Sequence, residues 1–505
     1  MKSATVHRLH ANAAQPGAVA DAASDAVQDA GIAAPNSKTE IQTQGITDPA
    51  ARITALRNIA ARAFAETSNM LSGDGERERT QRDALIAFGV RVLSAGLLYL
   101  SQIVLARWMG GFEYGIYVAV WTWVLILGGT AHAGLNTAVI RLAPEYRETE
   151  KFDLLRGLTR ESRIAALGLG TLVMLAGLGG VYLLQSNIEN HFILPLYLAL
   201  VCVPLFALTE VHDGIGRANG WMSAALAPPY VLRPLLLLAA MAAAYAYGLP
   251  MTATTAAAAA IVATWLTAVA QLLMINRRLK TTIPSGPRAH SFKFWFKTSL
   301  PLVLISACEL ALQNTDVLVI SRFMSPTDVG IYFAAGKTMA LIMFVHYAVG
   351  SAVAHKFAAL NARGDKEGLR EFVKDAVNWT FWPSLAGAVL ILTLGKPLLW
   401  LFGPQFEAGY PVMCILVVGF LFRSSMGPAE YLLNMLGEQA LCATVLVSAA
   451  ILNIALNFAL VPHFGLIGAA VATSISLSMA ALMNSVVVWR RLDIEIAIWK
   501  NLPKL

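Results

Sequence analysis

The sequence predicts an all-α membrane protein of about 12 transmembrane helices, arranged as two six-helix lobes that an internal repeat relates. Three observations lead to this fold class. Hydrophobic residues make up 57% of the 505-residue chain and charged residues 14%, with a mean hydropathy of +0.59, whereas a soluble domain carries roughly 25% charged residues. About twelve apolar runs are long enough to cross a bilayer, and one segment of the chain occurs twice.

The repeated segment reads RWMGGFEYGIY at residues 107–117 and RFMSPTDVGIY at residues 322–332. The identical residues keep one offset, which pairs Gly115 with Gly330, 215 residues later. The same offset aligns the polar stretches that follow each copy. Duplicated halves with a site between them are a common architecture of secondary transporters. The sequence therefore predicts two related halves around a central passage.

The apolar runs give six helices to each half. In the first half they cover residues 83–107, 114–138, 163–185, 192–212, 222–247 and 252–275. In the second half they cover residues 297–321, 330–354, 377–400, 411–435, 440–461 and 466–489. Residues 1–82 are rich in Ala, Ser, Asp, Gln and Gly, a composition that buries too little apolar surface to order itself. The predicted domains are a disordered cytoplasmic tail (1–82), an N-terminal lobe (83–275), a basic cytoplasmic linker (276–296), a C-terminal lobe (297–490) and a cytoplasmic tail (491–505).

Basic residues are concentrated in alternate loops, and the opposite loops hold only Arg107, Arg322 and Lys396. Because cytoplasmic loops carry an excess of Lys and Arg, this asymmetry predicts that both termini are cytoplasmic. It also explains the net charge of +7 without a nucleic-acid partner.

Several features argue against an enzyme. The loops on the side opposite the basic ones are too short to hold the chemistry of a glycan polymerase or ligase. The four cysteines lie in apolar runs without the spacing of a metal site, and no nucleotide-binding signature is present. We therefore expect no catalytic residue, metal or cofactor.

Charged side chains within the spans are functional or structural candidates, since each costs about 2.5–3.5 kcal/mol at the bilayer centre. They are Arg91, Arg233, Glu309, Asp316, Lys337, Arg423 and Glu430. Asp316 and Lys337 stand at nearly the same height in one hairpin, which favours a structural ion pair over contact with substrate. Glu309 could neutralise Arg423 or bind a coupling cation, and Glu430 belongs to the same coupling or structural group. A further set at the end of the fourth helix, Glu210, His212 and Asp213, is expected to be solvated.

Four stretches in the second half carry a family resemblance. They are NTDVLVISRFMSPTDVGIYFAAGKT (314–338), LFGPQFEAGYPV (401–412), LLNMLGEQA (432–440) and ILNIALNFALVPHFGLIGAAVATSIS (451–476). Together and in this order, they resemble the polysaccharide transporter family, the Wzx-type oligosaccharide flippases of the multidrug/oligosaccharidyl-lipid/polysaccharide exporter superfamily. The resemblance covers residues 83–490.

The resemblance implies a multi-pass protein of the bacterial inner membrane. It would move an undecaprenyl-pyrophosphate-linked oligosaccharide repeat unit between leaflets by alternating access, for exopolysaccharide, O-antigen of lipopolysaccharide, or capsule biosynthesis. Its partners would be this lipid-linked oligosaccharide and membrane lipids, with a glycan polymerase and a chain-length regulator as further candidates. The alternative is a multidrug or cation antiporter on the same fold, in which buried acids would dominate the cavity.

A pyrophosphate substrate makes Arg91, Arg233 and Arg423 the candidate substrate-binding residues. Guanidinium groups bind phosphate oxygens in a planar, bidentate manner and keep their charge. Arg233 is flanked by prolines, including Pro229 and Pro234, which bend a helix. Such a bend is tolerated in a membrane beside protein or a water-filled cavity, and we therefore expect Arg233 to line one. A plain structural partner for each arginine stays an open alternative.

Overall fold

The computed structural model describes the backbone of residues 76–501 and the side chains of residues 93–501. Every regular element of this part of the chain is a helix, which confirms the all-α prediction. The predicted tail over residues 1–82 and the side chain of Arg91 lie outside the described residues, apart from the first helical turns after Glu76. The boundaries of the five predicted domains stay predictions.

Fifteen α-helices follow one another in the described residues. They are α1 (Glu76–Ala131), α2 (Leu135–Glu148), α3 (Phe152–Leu184), α4 (Asn190–Leu200), α5 (Val203–Ala218), α6 (Met222–Ala227), α7 (Arg233–Ala246), α8 (Ala253–Thr282), α9 (Phe292–Phe323), α10 (Pro326–Ala362), α11 (Lys366–Thr393), α12 (Gly395–Trp400), α13 (Tyr410–Ser425), α14 (Ala429–Met435) and α15 (Gln439–Leu492). Short 3-10 turns cover Gln185–Asn187, Pro404–Gly409 and Ile498–Lys500, and a π-helical turn, Pro228–Leu232, joins α6 to α7.

The two longest helices, α1 and α15, are hairpins. A straight α-helix of more than 50 residues would exceed about 75 Å, far more than the roughly 30 Å of bilayer hydrocarbon. The helical conformation breaks at Gly110 (φ 74°, ψ 166°) in α1 and at Gly465 (φ 56°, ψ −135°) in α15. Across the first break, Tyr114 donates its hydroxyl to Gln102 at 3.0 Å, although twelve residues of straight helix would separate them by about 18 Å.

Counting these hairpins gives the number of spans. By length and hydropathy, nine segments of the described chain can cross a bilayer, or ten when α4 and α5, which meet at 46°, form one bent span. This count takes each of the two hairpins as one segment, although each hairpin holds two spans. Ten segments therefore correspond to twelve spans. The predicted spans therefore agree with the structure, and a π-helical turn, Pro228–Leu232, interrupts the α-helical conformation of the span around residues 222–247 at its prolines.

Two helices begin eleven residues before the apolar run that predicted them. These are α3, which begins at Phe152, and α11, which begins at Lys366. Both first turns are amphipathic: Leu155 and Leu369 are buried while charged neighbours face outward. A search for apolar runs detects only the lipid-facing part of such a helix. The equal extension in the two halves follows the repeat.

The two copies of the repeat pack directly on each other. A Cβ atom added to Gly115 would lie 1.6 Å from the carbonyl oxygen of Pro326, and one added to Gly330 would lie 3.2 Å from the carbonyl oxygen of Gly111. The backbones of the two lobes therefore touch at the end of the bundle that holds both repeat turns. We call this the repeat end, and the opposite end, which holds the basic loops, the basic end.

The two repeat turns reverse the chain by different means. In the first copy, Gly110 adopts a positive φ of 74°, which is open to glycine at no steric cost. At the position 215 residues later, Ser325 instead begins α10 with a capping box. Its hydroxyl accepts from the Asp328 amide at 3.3 Å, and the Asp328 carboxylate accepts from the Ser325 amide at 3.2 Å. Pro326 is the first residue of the helix and has no backbone N–H, so no hydrogen-bond partner is needed at this position.

Adding one methyl group at the repeat contact should destabilise the fold most where the least space is available. Gly115→Ala should lower the Tm in detergent most, because overpacking costs about 1–3 kcal/mol. Gly330→Ala should lower it less, since its nearest neighbours can shift by a few tenths of an ångström. Gly336→Ala is the matched control, with nothing within 4 Å of the new atom and a helix gain of about 0.5–1 kcal/mol. Equal Tm values for the three variants would contradict the contact.

Candidate functional site

Two charged residues at mid-depth indicate a watery space between the lobes. Lys337 stands eleven residues into the bundle from Pro326, or about 16 Å along α10, and Glu309 lies at similar depth on α9. Both side chains are exposed. Because a charge facing hydrocarbon is costly, exposed charges at this depth point to a water-filled passage. At the repeat end, the two lobes meet at the contact between Gly115 and α10.

Arg233 is held by aromatic rings inside the first lobe. Its guanidinium carbon lies 5.6 Å from the ring centre of Trp121 and 5.0 Å from that of Phe206. Such cation–π contacts contribute about 0.5–2 kcal/mol each. Trp121 is also stacked on Tyr117, with ring centres 6.2 Å apart. A π-helical turn, Pro228–Leu232, precedes Arg233, which is the first residue of α7.

No carboxylate of the described residues lies within 4 Å of Arg233. Glu210 on α5 interacts with it electrostatically from a greater distance. The neighbouring Asp213 is bound to Arg217 at 2.7 Å, so it is already neutralised. The N–H groups of the Arg233 guanidinium are therefore not bound by an adjacent acid of the described residues.

The prediction of a solvated cluster at the end of the fourth helix is wrong. His212 is fully buried, and Asp213 is buried beneath Arg217. The reason is that α5 packs against α2 and α3 inside the lobe, where the Cβ of a residue in place of Gly214 would meet the backbone of Asn136 at 2.5 Å. The position of a residue near the end of an apolar run determines its depth along the bundle, but it does not determine whether its side chain is exposed.

Arg423, predicted to bind substrate, has a carboxylate partner. One of its terminal nitrogens lies 2.9 and 2.8 Å from the two oxygens of Glu430. The sequence had named Glu309 as the neutralising acid, but Glu309 is not within ion-pair distance and acts on the pair electrostatically. His346 lies beside the pair at a cavity of about 10 Å³, which is room for roughly one water molecule.

The predicted ion pair between Asp316 and Lys337 does not form. Asp316 accepts hydrogen bonds from the Tyr332 hydroxyl at 2.7 Å and the Val317 amide at 2.8 Å, with Thr473 at 3.4 Å. Lys337 lies 4.8 Å from the ring centre of Phe333 instead. Five residues separate Tyr332 from Lys337, which places them about 140° apart around a helix of 3.6 residues per turn. The two charges share a depth but not a face.

Sequence reasoning missed the uncharged members of these clusters. Tyr117 and Tyr332 were visible as identical residues of the repeat, so their pairing could have drawn attention to both. Trp121 and Phe206 carried no signal, because aromatic residues are common in apolar spans. Among the described residues, no group of three His, Cys, Asp or Glu side chains gathers as a metal site would require.

Comparison with known proteins places the fold. A family model described as polysaccharide biosynthesis protein matches residues 81–354, and a MatE model matches residues 301–459. A curated relative, the probable low-salt glycan biosynthesis flippase Agl15 of Haloferax volcanii, is 24% identical over 171 residues, which are 34% of this chain and 36% of that protein. The chain thus spans only about a third of this relative's length.

Solved structures share the whole bundle. The inward-facing conformation of a multidrug resistance MATE family transporter of the MOP superfamily superposes with a TM-score of 0.64 at 16% identity, covering 80% of this chain and 94% of that one. The lipid II flippase MurJ in an inward closed conformation gives a TM-score of 0.63 at 14% identity, covering 80% and 87%. These similarities show the fold.

The first family model covers more than half of the 505 residues, and the resemblance found in the sequence agrees with it. The chain therefore belongs to the family described as polysaccharide biosynthesis protein.

Proposed function

We propose that this protein is a flippase that moves an undecaprenyl-pyrophosphate-linked oligosaccharide repeat unit across the bacterial inner membrane by alternating access. The product would serve biosynthesis of exopolysaccharide, O-antigen or capsule. The observation that carries this proposal is Arg233, a cation inside the membrane that aromatic rings hold and that no adjacent carboxylate of the described residues neutralises. Family membership and the flippase names of the relatives support the same substrate class.

The geometry around Arg233 suits a phosphate ligand. Aromatic rings contact the faces of a guanidinium and leave its N–H edges available, and those edges match phosphate oxygens in a bidentate fork. Trp121 and Phe206 thus fix the position of Arg233 without occupying its donors. A buried charge without a close partner is costly, so a tightly bound anionic headgroup would relieve a cost that the empty site bears.

The transport cycle follows from the repeat contact. With Gly115 packed on the first turn of α10, the passage is closed at the repeat end. Rocking of the two lobes would part this contact and close the basic end instead. The excess of Lys and Arg in the loops of the basic end supports a cytoplasmic location for that end and for both termini. A glycan polymerase and a chain-length regulator would then meet the product on the opposite side.

One observation favours a cation antiporter as the second candidate. Glu309 is an exposed carboxylate at mid-depth, and an acid in a watery passage could bind a proton or a cationic substrate. The other exposed charge at mid-depth is a cation, however, Lys337, and the groups that act on Glu309 electrostatically are Glu430 and Arg423 of the ion pair. This mixture favours an anionic substrate with Glu309 in a coupling role.

Replacement of Arg233 should separate the two candidates. We expect Arg233→Ala to abolish export of surface polysaccharide, because the phosphate site loses its charge and both hydrogen-bonding edges. Arg233→Lys should retain partial export, since lysine keeps the charge but not the fork. Export is measured as surface glycan in a strain that lacks the chromosomal copy, with lipid-linked precursor counted in the membrane.

The control is the amount of protein in the membrane, measured by immunoblot. Full export by Arg233→Ala at normal protein level would contradict the site. The matched control in the same cluster is the double variant Arg217→Gln/Asp213→Asn, which removes a guanidinium together with the carboxylate that neutralises it and should keep export.

The pair of Arg423 and Glu430 should behave as a structural unit. Arg423→Gln alone or Glu430→Gln alone leaves an unpaired charge in a half-buried site, which should lower the amount of protein in the membrane. The double variant removes both charges and should recover most of the protein level and the export that each single variant loses. A double variant as defective as Arg423→Gln alone would instead assign Arg423 to substrate binding.

A further inference from the structure

A lateral groove opens between the first lobe and the end of α9 near the repeat end. It is a cavity of about 480 Å³, within the roughly 300–1,000 Å³ range of small-molecule sites. Its walls come from the second arm of α1, from α3, from the start of α4 and from the end of α9, and they are mainly apolar. Polar residues gather at the repeat end of the groove: Asn187, Glu189, Ser321 and Arg322.

The position related to this groove by the repeat is filled in the second lobe. The 215-residue offset pairs Trp123 with Thr338 and Asn187 with Phe402. Trp123 is 43% exposed in the groove, whereas Thr338 and Phe402 are 0% exposed. The ring of Tyr99 packs edge-on against Phe402, with centres 5.5 Å apart. One copy of the site is therefore closed by aromatic side chains while the other is open.

The two repeat arginines, Arg107 in the filled copy and Arg322 in the open copy, also differ in their contacts. Arg107 donates to the carbonyl oxygens of Leu401 at 2.7 Å and Trp400 at 2.5 Å. Its counterpart Arg322 is exposed and makes no hydrogen bond or ion pair with the described part of the chain. Glu189, the acid at the same mouth, is within 3.1 Å of His191. The open copy thus presents a guanidinium with its donors available beside an apolar cleft.

We propose that this groove binds a membrane lipid that carries a phosphate, with a hydrocarbon chain between the helices and the phosphate on Arg322. Close-packed helices rarely leave voids of this size, and a void beside lipid loses its dispersion contacts unless a chain fills it. Arg322 stands near the end of α9, at the level of the repeat turns, where arginine side chains reach lipid headgroups. The proposal does not depend on which molecule the central passage carries.

Neighbouring glycines of α3 provide a matched pair of variants. Gly180 lines the groove and Gly179 does not, and a Cβ atom at either position meets nothing within 4 Å. The purified full chain in dodecyl maltoside micelles is labelled with photoactivatable phosphatidylglycerol, and cross-linked peptides are identified by mass spectrometry. Gly180→Leu should reduce labelling of the groove peptides about tenfold, or ~1.4 kcal/mol, while Gly179→Leu leaves labelling unchanged.

The role of the phosphate is tested with photoactivatable diacylglycerol of the same acyl chains. We expect Arg322→Gln to reduce phosphatidylglycerol labelling about fivefold, the upper range for one exposed charge pair, and to leave diacylglycerol labelling unchanged. Arg107→Gln is the control in the filled copy and should change neither. Equal labelling of the wild-type groove by the two lipids, or equal labelling of the two glycine variants, would overturn the proposal.

Discussion

The fold depends on the approach of Gly115 to the first turn of α10. This contact brings the backbones of the two lobes together at the repeat end, where a side chain in place of the glycine would overlap a carbonyl group. It fixes the register of the two hairpins that carry the repeat. Because the other spans pack around these hairpins, the contact also holds the two lobes together at this end. A small-residue contact of this kind is the usual way in which membrane helices approach closely.

Charges within the bundle are accommodated in three different ways. Arg423 is neutralised by Glu430 at 2.8 Å, and Asp316 is satisfied by hydrogen bonds from Tyr332 and a backbone amide. Arg233 has aromatic rings as its close neighbours. The first two arrangements are complete without a ligand, since the polar atoms find partners within the chain. The third leaves donors available, which is why the proposed substrate contact rests on Arg233.

Hydropathy and the repeat predicted the fold because both depend on position along the chain. The spans, both hairpin turns and the π-helical turn at Pro228 follow from lipid-facing length and from residues that interrupt a helix. The partners of Asp316 and Arg423 could not be predicted in the same way. Depth follows from residue number, but the direction of a side chain depends on helix rotation, which the packing of neighbouring spans determines. The burial of His212 and the groove beside Trp123 likewise arise from contacts between distant segments.

The repeat tyrosines show how far the two lobes have diverged around a shared frame. Tyr117 and Tyr332 occupy equivalent positions and both are buried. Tyr332 donates its hydroxyl to Asp316, whereas the residue equivalent to Asp316 in the first lobe is Ser101, which donates to the backbone of its own helix. Tyr117 instead lies in the cluster of Trp121 and Arg233.

The same position of the repeat therefore stands beside an anion in one lobe and beside a cation in the other. Asp316 is already bound by the Tyr332 hydroxyl and a backbone amide, whereas the close neighbours of Arg233 are aromatic rings that leave its donors available. The charged group at the related position is therefore satisfied within the chain in the second lobe, and its donors stay available in the first. This difference between the lobes requires only that both keep the repeat contact, while the charged residues beside the repeat tyrosines differ.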